Sequence, residues 1–285
     1  MANLFGTNIN DILNGTSNPD IIFAFDGNDA VNGGDSDDAI DGGNGNDTLN
    51  GGNGNDILIG ANGNDLFRGS SGNDTVNGGQ GIDTADYSQM NTSITLRPTG
   101  VLNKGVFGTD QLAGMETIIA NSSFANNTID ASSAVGASIT VNLQTQSLAV
   151  NGVPGVGPFT VVNFDDVRGT NLNDIIIGDA QNNILFGNNG NDLLYGGIGN
   201  DNLFGGAGAD TFVFKSLLEG IDIIKDFNWL EGDRIEVSKL GFGIFSHNEF
   251  SYNNVTGALF FQSNQFAIIE NKPQNFVTFL DIVLV

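Results

Sequence analysis

The sequence contains no cysteine and a single histidine, His247. The first absence removes disulfides, thiolate nucleophiles and thiolate metal ligands together. The second leaves no histidine cluster for zinc or non-haem iron, so any metal must be held by oxygen. Basic residues are scarce too: nine Lys and Arg stand against 33 Asp and Glu, a formal charge of −24 at pH 7. That excess repels phosphate and excludes nucleic acid as a natural partner. No run approaches the roughly 18 apolar residues of a membrane-spanning helix. The opening Met1-Ala2-Asn3-Leu4-Phe5-Gly6 has no basic stretch followed by an apolar core, so no ordinary signal peptide is expected. Only 6 of the acidic residues are Glu, and 41 Gly, 40 Asn and 27 Asp take the place of helix formers. Hydrophobic residues still reach 39%, with 21 Phe, more than a disordered acidic chain carries. A folded, helix-poor chain is expected.

What is present is periodic. Asp11, Asp20, Asp29, Asp38, Asp47, Asp56, Asp65, Asp74 and Asp83 follow one another at intervals of nine. The residues ending at each Asp are turn-like, most regularly in Gly42-Gly43-Asn44-Gly45-Asn46-Asp47 and Gly51-Gly52-Asn53-Gly54-Asn55-Asp56. Three residues of strand character follow each Asp, with an apolar residue in the middle: Leu13, Ile22, Val31, Ile40, Leu49, Leu58, Phe67, Val76 and Ala85. One inward side chain per nine residues describes a short strand facing a narrow core. The register returns with Asp165, Asp174, Asn183, Asp192, Asp201 and Asp210 at the turn ends, and Val167, Ile176, Leu185, Leu194, Leu203 and Phe212 inward.

Four segments are expected: a first repeat block over 1–86, an irregular β-coil over 87–164, a second block over 165–213, and a C-terminal cap over 214–285. The coil carries its own duplication. Ser93-Ile94-Thr95 matches Ser138-Ile139-Thr140, Met115-Glu116-Thr117-Ile118 resembles Phe164-Asp165-Asp166-Val167, and Asn127-Thr128-Ile129 stands where Asp174-Ile175-Ile176 stands. After Asp210 the composition changes: the tail holds 11 of the Phe, five of the basic residues and the only Trp, Trp229. Strands are expected there over 211–214, 234–237, 258–262, 267–269 and 276–285, closing the open hydrophobic end of a solenoid.

With nine residues per half-coil, Asp residues 18 apart stack on one edge at about the 4.8 Å strand spacing. Asp11, Asp29, Asp47, Asp65 and Asp83 would share one edge, and Asp20, Asp38, Asp56 and Asp74 the other. Left bare, each neighbouring pair costs about 3 kcal/mol at an effective dielectric of about 20. A divalent cation between turns reverses the sign. Calcium suits the arrangement because it accepts carboxylate and carbonyl oxygens in flexible number, whereas magnesium demands a tighter octahedron.

Both blocks resemble the calcium-binding nonapeptide of the RTX (hemolysin-type) family, Gly-Gly-x-Gly-x-Asp-x-apolar-x. The resemblance implies an all-β, right-handed parallel β-roll or β-solenoid with several Ca2+ ions held between turns by glycine carbonyls and Asp carboxylates. The residues it implies as ligands are Asp29 and Asp38; Gly42, Gly43, Gly45 and Asp47; Gly51, Gly52, Gly54 and Asp56; Gly63 and Asp65; Gly72 and Asp74; and Asp83. In the second block they are Gly190 and Asp192; Gly196, Gly197, Gly199 and Asp201; and Gly205, Gly206, Gly208 and Asp210. Ala24-Phe25 replaces the glycine pair before Asp29, and Ser36 replaces the third glycine before Asp38. Asp11, Asp20 and Asp174 end turns that begin Gly-Thr and lack the third glycine, so an ion is not expected there, and Asn183 lacks the carboxylate.

The tail, through Gly205-Gly206-Ala207-Gly208-Ala209-Asp210-Thr211-Phe212-Val213-Phe214 and Glu231-Gly232-Asp233-Arg234-Ile235, is similar to the region that follows RTX repeats in secreted proteins. The resemblance implies an uncleaved type I secretion signal, a type I export machinery as partner, and a secreted or cell-surface location. Gly257-Ala258-Leu259-Phe260-Phe261 and Leu280-Asp281-Ile282-Val283-Leu284-Val285 are similar to cyanobacterial members.

Simpler readings stand beside these. The repeat could form a metal-free solenoid whose Asp residues cap turns, but Arg68 is the only basic residue before position 87 and cannot balance them. Asp86, Asp110, Asp130 and Asp222 are taken as ordinary turn or solvated residues, and His247 and Trp229 as structural. No H-E-x-x-H or G-x-S-x-G motif occurs. The expected function is calcium binding with a structural role at the cell surface or in extracellular matrix, without enzymatic activity. The alternative is a polysaccharide-active enzyme or carbohydrate-binding accessory built on 87–164, with Asp165 and Asp166 as paired carboxylates and cell-surface polysaccharide as partner.

Overall fold

The apolar residue in the middle of each triplet decides the architecture, because a strand with one inward side chain needs a second strand across from it. The computed structural model describes residues 2–153, 157–244 and 246–285. It divides into two units, residues 1–128 with 157–164, and residues 129–156 with 165–285.

In the first unit, successive strands alternate between two sheets. Asn3–Phe5, Ile21–Phe23, Ala39–Asn44, Ile57–Asn62 and Thr75–Gln80 lie side by side in one, and Ile12–Asn14, Ala30–Asp35, Thr48–Asn53, Leu66–Arg68 and Thr84–Asp86 in the other. Pairing is parallel and offset by 18 residues, with Ile40 opposite Leu58 and Leu49 opposite Phe67. Two nonapeptides therefore make one coil. The middle residues from Ile22 to Ala85 are buried, and Leu13, on the first coil, is half-buried.

Beyond Asp86 the irregular β-coil expected over 87–164 includes antiparallel strands. Thr95–Leu96 pairs antiparallel with Val101–Asn103, which pairs antiparallel with Thr109–Ala113, which then rejoins the roll parallel to Thr75–Gln80. The reversal is local chemistry: Pro98 begins the turn, the Gly100 N–H bonds the Arg97 carbonyl at 2.9 Å, and Gly100 has φ +84°, where a side chain would be strained. On the other sheet, Thr84–Asp86 pairs with Thr117–Ile119, which pairs with Phe159–Val162.

The second unit opens with the antiparallel hairpin Ser138–Asn142 and Ser147–Asn151. The first of these strands pairs parallel with Ile175–Ile177, and 18-residue pairing resumes with Leu185 opposite Leu203 and Ile176 opposite Leu194. The tail does not begin as a separate cap. Asn202–Ala207 pairs parallel with Asp222–Ile224 and Thr211–Phe214 with Arg234–Val237, so the roll continues past Asp210 with longer loops. Closure follows in the meander Phe250–Tyr252, Ala258–Phe261 and Asn264–Ile269. Buried Phe212, Phe214, Phe227, Phe242, Phe250 and Phe266 fill its core, with ring pairs such as Phe214 and Phe266 edge to face at 5.2 Å. The strand expected over 276–285 is confined to Ile282–Leu284, preceded by the helical turn Thr278–Asp281. No helix among the described residues is long and apolar enough to cross a membrane.

Candidate metal centres

The Asp that ends each turn uses its two oxygens differently. Oδ1 accepts the backbone N–H of the Asp one coil earlier. Asp47 takes that of Asp29 at 2.8 Å, Asp65 that of Asp47 at 2.8 Å, and Asp83 that of Asp65 at 2.8 Å. On the other edge Asp38, Asp56 and Asp74 take those of Asp20, Asp38 and Asp56 at 2.7, 2.8 and 3.0 Å. The second block repeats the bond from Asp174 to Asp192, Asn183 to Asp201 and Asp192 to Asp210. Each edge is a ladder of carboxylates, as the 18-residue spacing requires.

Oδ2 is the informative atom. Among the described residues, the Oδ2 atoms of Asp29, Asp38, Asp47, Asp56, Asp65, Asp83, Asp192, Asp201 and Asp210 are buried and receive no hydrogen bond. Buried polar atoms are almost always paired, so an exception repeated nine times at one structural position marks an acceptor whose partner is not a protein donor. The first glycine of the turn makes the room: a Cβ on Gly51 would lie 2.1 Å from Asp56 Oδ2, and one on Gly196 2.1 Å from Asp201 Oδ2. The third glycine brings the coils together. Gly45 has φ +128°, and a Cβ there would sit 1.7 Å from the Gly27 carbonyl oxygen.

Burial without a partner raises these carboxyl pKa values. Asp47, Asp201 and Asp210 reach about 6, and Asp56 and Asp192 about 7, with desolvation as the main cause, rung N–H bonds opposing it and neighbouring carboxylates adding to it. Asp29, Asp38, Asp65 and Asp83 are raised for the same leading reason. Hard oxygen donors, spare negative charge and carbonyl-lined turns fit calcium. Among the described residues no three His, Cys, Asp or Glu side chains converge.

The Gly-Thr turns differ from the glycine-pair turns in what their Asp Oδ2 atoms meet. Asp11 Oδ2 accepts from the Thr7 N–H and Oγ1, Asp20 Oδ2 from those of Thr16, and Asp174 Oδ2 from those of Thr170. The threonine closes the position that glycine leaves open. Asn183 is also self-contained, with Oδ1 on the Asp179 N–H and Nδ2 donating to the Asp165 carbonyl at 2.6 Å. Asp74 departs from its neighbours, since its Oδ2 accepts from Lys104 Nζ at 3.1 Å and Ser70 Oγ at 3.2 Å.

Two carboxylates taken as solvated or turn residues are rungs. Asp110 and Asp222 are buried, and their Oδ1 atoms accept the N–H groups of Asp74 and Asp201, both at 3.0 Å. Asp233 likewise accepts from the Asp210 N–H at 2.8 Å, and Glu116 Oε2 from the Asp83 N–H at 2.7 Å. The signal was present: Asp110, Asp222 and Asp233 each precede an apolar residue by two, namely Leu112, Ile224 and Ile235, and Gly105-Val106-Phe107-Gly108-Thr109-Asp110 is a nonapeptide turn short of one glycine. Burial raises Asp222 to about 8 and Asp233 to about 7. Asp86 and Asp130 are turn residues, accepting from the N–H groups of Ser88 and Ser132.

Asparagine, read from composition only as a turn former, builds a second ladder outside the first. Asn28 Oδ1 accepts the Asn46 N–H, Asn46 Oδ1 that of Asn64, and Asn64 Oδ1 that of Ile82, at 2.8 to 2.9 Å. The internal duplication also has a physical basis. Ile94 donates its N–H to Asn127 Oδ1, and Ile139 donates its N–H to Asp174 Oδ1. Asp166 Oδ1 accepts the Ile184 N–H at 2.8 Å, so the carboxylate proposed for catalysis is engaged in coil pairing.

The family described as RTX calcium-binding nonapeptide repeat (4 copies) matches residues 5–40, 25–58, 32–67, 50–85, 168–203 and 177–212. No curated protein matches the chain. Among solved structures, the chain is similar to the extracellular lipase LipA from Serratia marcescens, at 22% identity and a TM-score of 0.24, over 95% of this chain and 40% of that one. The chain thus spans less than half of the lipase. The matched segments are the ones that carry the orphaned carboxylates, and the two blocks, 5–85 and 168–212, are therefore RTX calcium-binding nonapeptide repeats, which bind several Ca2+ ions.

Proposed function

We propose that this protein is a secreted scaffold that folds when calcium enters its turns and then serves a structural role at the cell surface or in extracellular matrix. The observation that carries the reading is the set of nine buried Asp Oδ2 atoms without donors. The ligands are those carboxylates together with carbonyls of their glycine turns, in a first block over 1–86 and a second over 165–213. A core one side chain wide per strand offers little burial to offset stacked negative charge, so metal binding supplies much of the folding free energy.

Export follows from the same chemistry. Sites of the extracellular type, with dissociation constants of about 10⁻⁴ to 10⁻³ M, are empty in a cytosol poor in calcium and filled outside. Residues 214–285 would carry the type I export signal, and binding of calcium only beyond the membrane biases passage outward.

Far-UV circular dichroism tests the folding step: the chain in chelator is expected to lack its β signal and to gain it in millimolar calcium, with magnesium a poor substitute. A full β signal in chelator would sink the reading. For export, the chain truncated after Ser238 should remain in a host that carries a type I exporter and secretes the full chain; secretion of the truncated chain would remove the C-terminal signal.

A further inference from the structure

Lys104 is the only basic side chain in the buried set among the described residues, with no exposed surface. Its ammonium has three N–H donors, and three oxygens meet it: the Ser70 carbonyl at 2.8 Å, Asp74 Oδ2 at 3.1 Å, and Asp110 Oδ1. Asp74 and Asp110 are successive rungs, joined by the Asp74 N–H bond to Asp110 Oδ1. Ser70 stands at the second position of the turn that ends at Asp74, where the regular turns have glycine. The ammonium therefore holds carboxylates of two neighbouring rungs and a turn carbonyl. One and two coils earlier on the same edge, Asp56 Oδ2 and Asp38 Oδ2 meet no protein donor.

We propose that Lys104 is a built-in substitute for calcium, occupying the position between Asp74 and Asp110 that an ion would otherwise take and ending the metal column on that edge of the first block. The segment after Asp86 delivers it. Lys104 follows the strand Val101–Asn103, its N–H bonds the Gly108 carbonyl at 2.8 Å, and the chain then re-enters the roll at Thr109–Ala113. Tyr87 fixes the second carboxylate by donating its hydroxyl to Asp110 Oδ2 at 2.7 Å. A tethered cation arrives with the chain and needs no free calcium, so the junction between the regular block and the antiparallel strands is neutralised without metal. An ammonium brings one charge where calcium brings two, and it leaves no coordination position open for a further oxygen.

The inference rests on the reading that ions lie between successive rungs, and the test separates the two. Calcium bound per full-length chain is counted at saturation by equilibrium dialysis with atomic emission, for the wild type, Asp56→Asn, Asp110→Asn, Lys104→Met, and the double variant Lys104→Met with Asp110→Asn. Asp56→Asn is expected to lower the count, Asp110→Asn to leave it unchanged, Lys104→Met to raise it by one ion, and the double variant to lose that gain. A folded Lys104→Met with the wild-type count overturns the proposal. So does a drop in Asp110→Asn equal to that in Asp56→Asn, which decides the matter even if Lys104→Met does not fold. If Asp56→Asn keeps the wild-type count, the reading of ions between rungs falls, and this proposal with it.

Discussion

Asp56 accepts the Asp38 N–H on Oδ1 at 2.8 Å while its Oδ2, equally buried, receives nothing. One side chain thus holds the coils in register and keeps a charged oxygen in reserve. The two tasks can be separated by substitution. Asp56→Asn retains an oxygen for the rung bond and removes the charge, and is expected to cost about 3 kcal/mol of the calcium-loaded fold. Asp11→Ala, where Thr7 already closes Oδ2, should cost much less. Denaturant unfolding at fixed calcium compares them, and equal losses would mean that the orphaned oxygens are not the working ligands.

The raised carboxyl pKa values set a pH dependence. In the metal-free fold Asp47 titrates near 6 and Asp56 and Asp192 near 7, against 3.8 in the unfolded chain. Between about pH 4 and 7 the folded state therefore binds more protons than the unfolded state, and metal-free stability falls as pH rises through that window. With chelator present, more β structure is expected at pH 4.5 than at pH 7.5. Protons and calcium compete for the same oxygens, so the calcium midpoint should move to higher concentration at pH 5.5 than at pH 7.5. A midpoint independent of pH would contradict the assignment.

Gly51 is required by what its side chain would strike. An added Cβ lies 2.1 Å from Asp56 Oδ2 and 2.8 Å from Asp56 Cβ, whereas one on Gly157 meets nothing within 4 Å. Gly51→Ala is expected to lose about 2 kcal/mol or more through overpacking, and Gly157→Ala close to none. Thermal unfolding in calcium reads the difference, and similar melting temperatures would refute it.

Threonine closure makes a prediction of a different kind. Thr170→Val removes the hydroxyl bond to buried Asp174 and should cost about 1 to 3 kcal/mol. Stability should fall by the same amount at every calcium concentration, because no ion is lost. Asp192→Asn should instead flatten the rise of stability with the logarithm of calcium concentration. A flattened slope in Thr170→Val would place an ion at that turn.

The nine-residue interval by itself determined the coil, its two edges and its metal. Asp residues 18 apart can only stack, and stacked carboxylates without basic neighbours need a divalent cation. The glycines before Asp47, Asp56 and Asp201, and the threonines before Asp20 and Asp174, already separated open turns from closed ones. Tertiary structure decided what strict periodicity conceals. The coil tolerates inserted residues as long as an Asp and the apolar residue two beyond it return to their rung, so Asp222 and Asp233 stay in the ladder despite longer loops. Nothing in its local sequence marks Lys104, since a lysine beside a turn is ordinarily solvated. Only folding the antiparallel strands back onto the roll places its ammonium between Asp74 and Asp110, where burial turns a surface charge into a fixed cation.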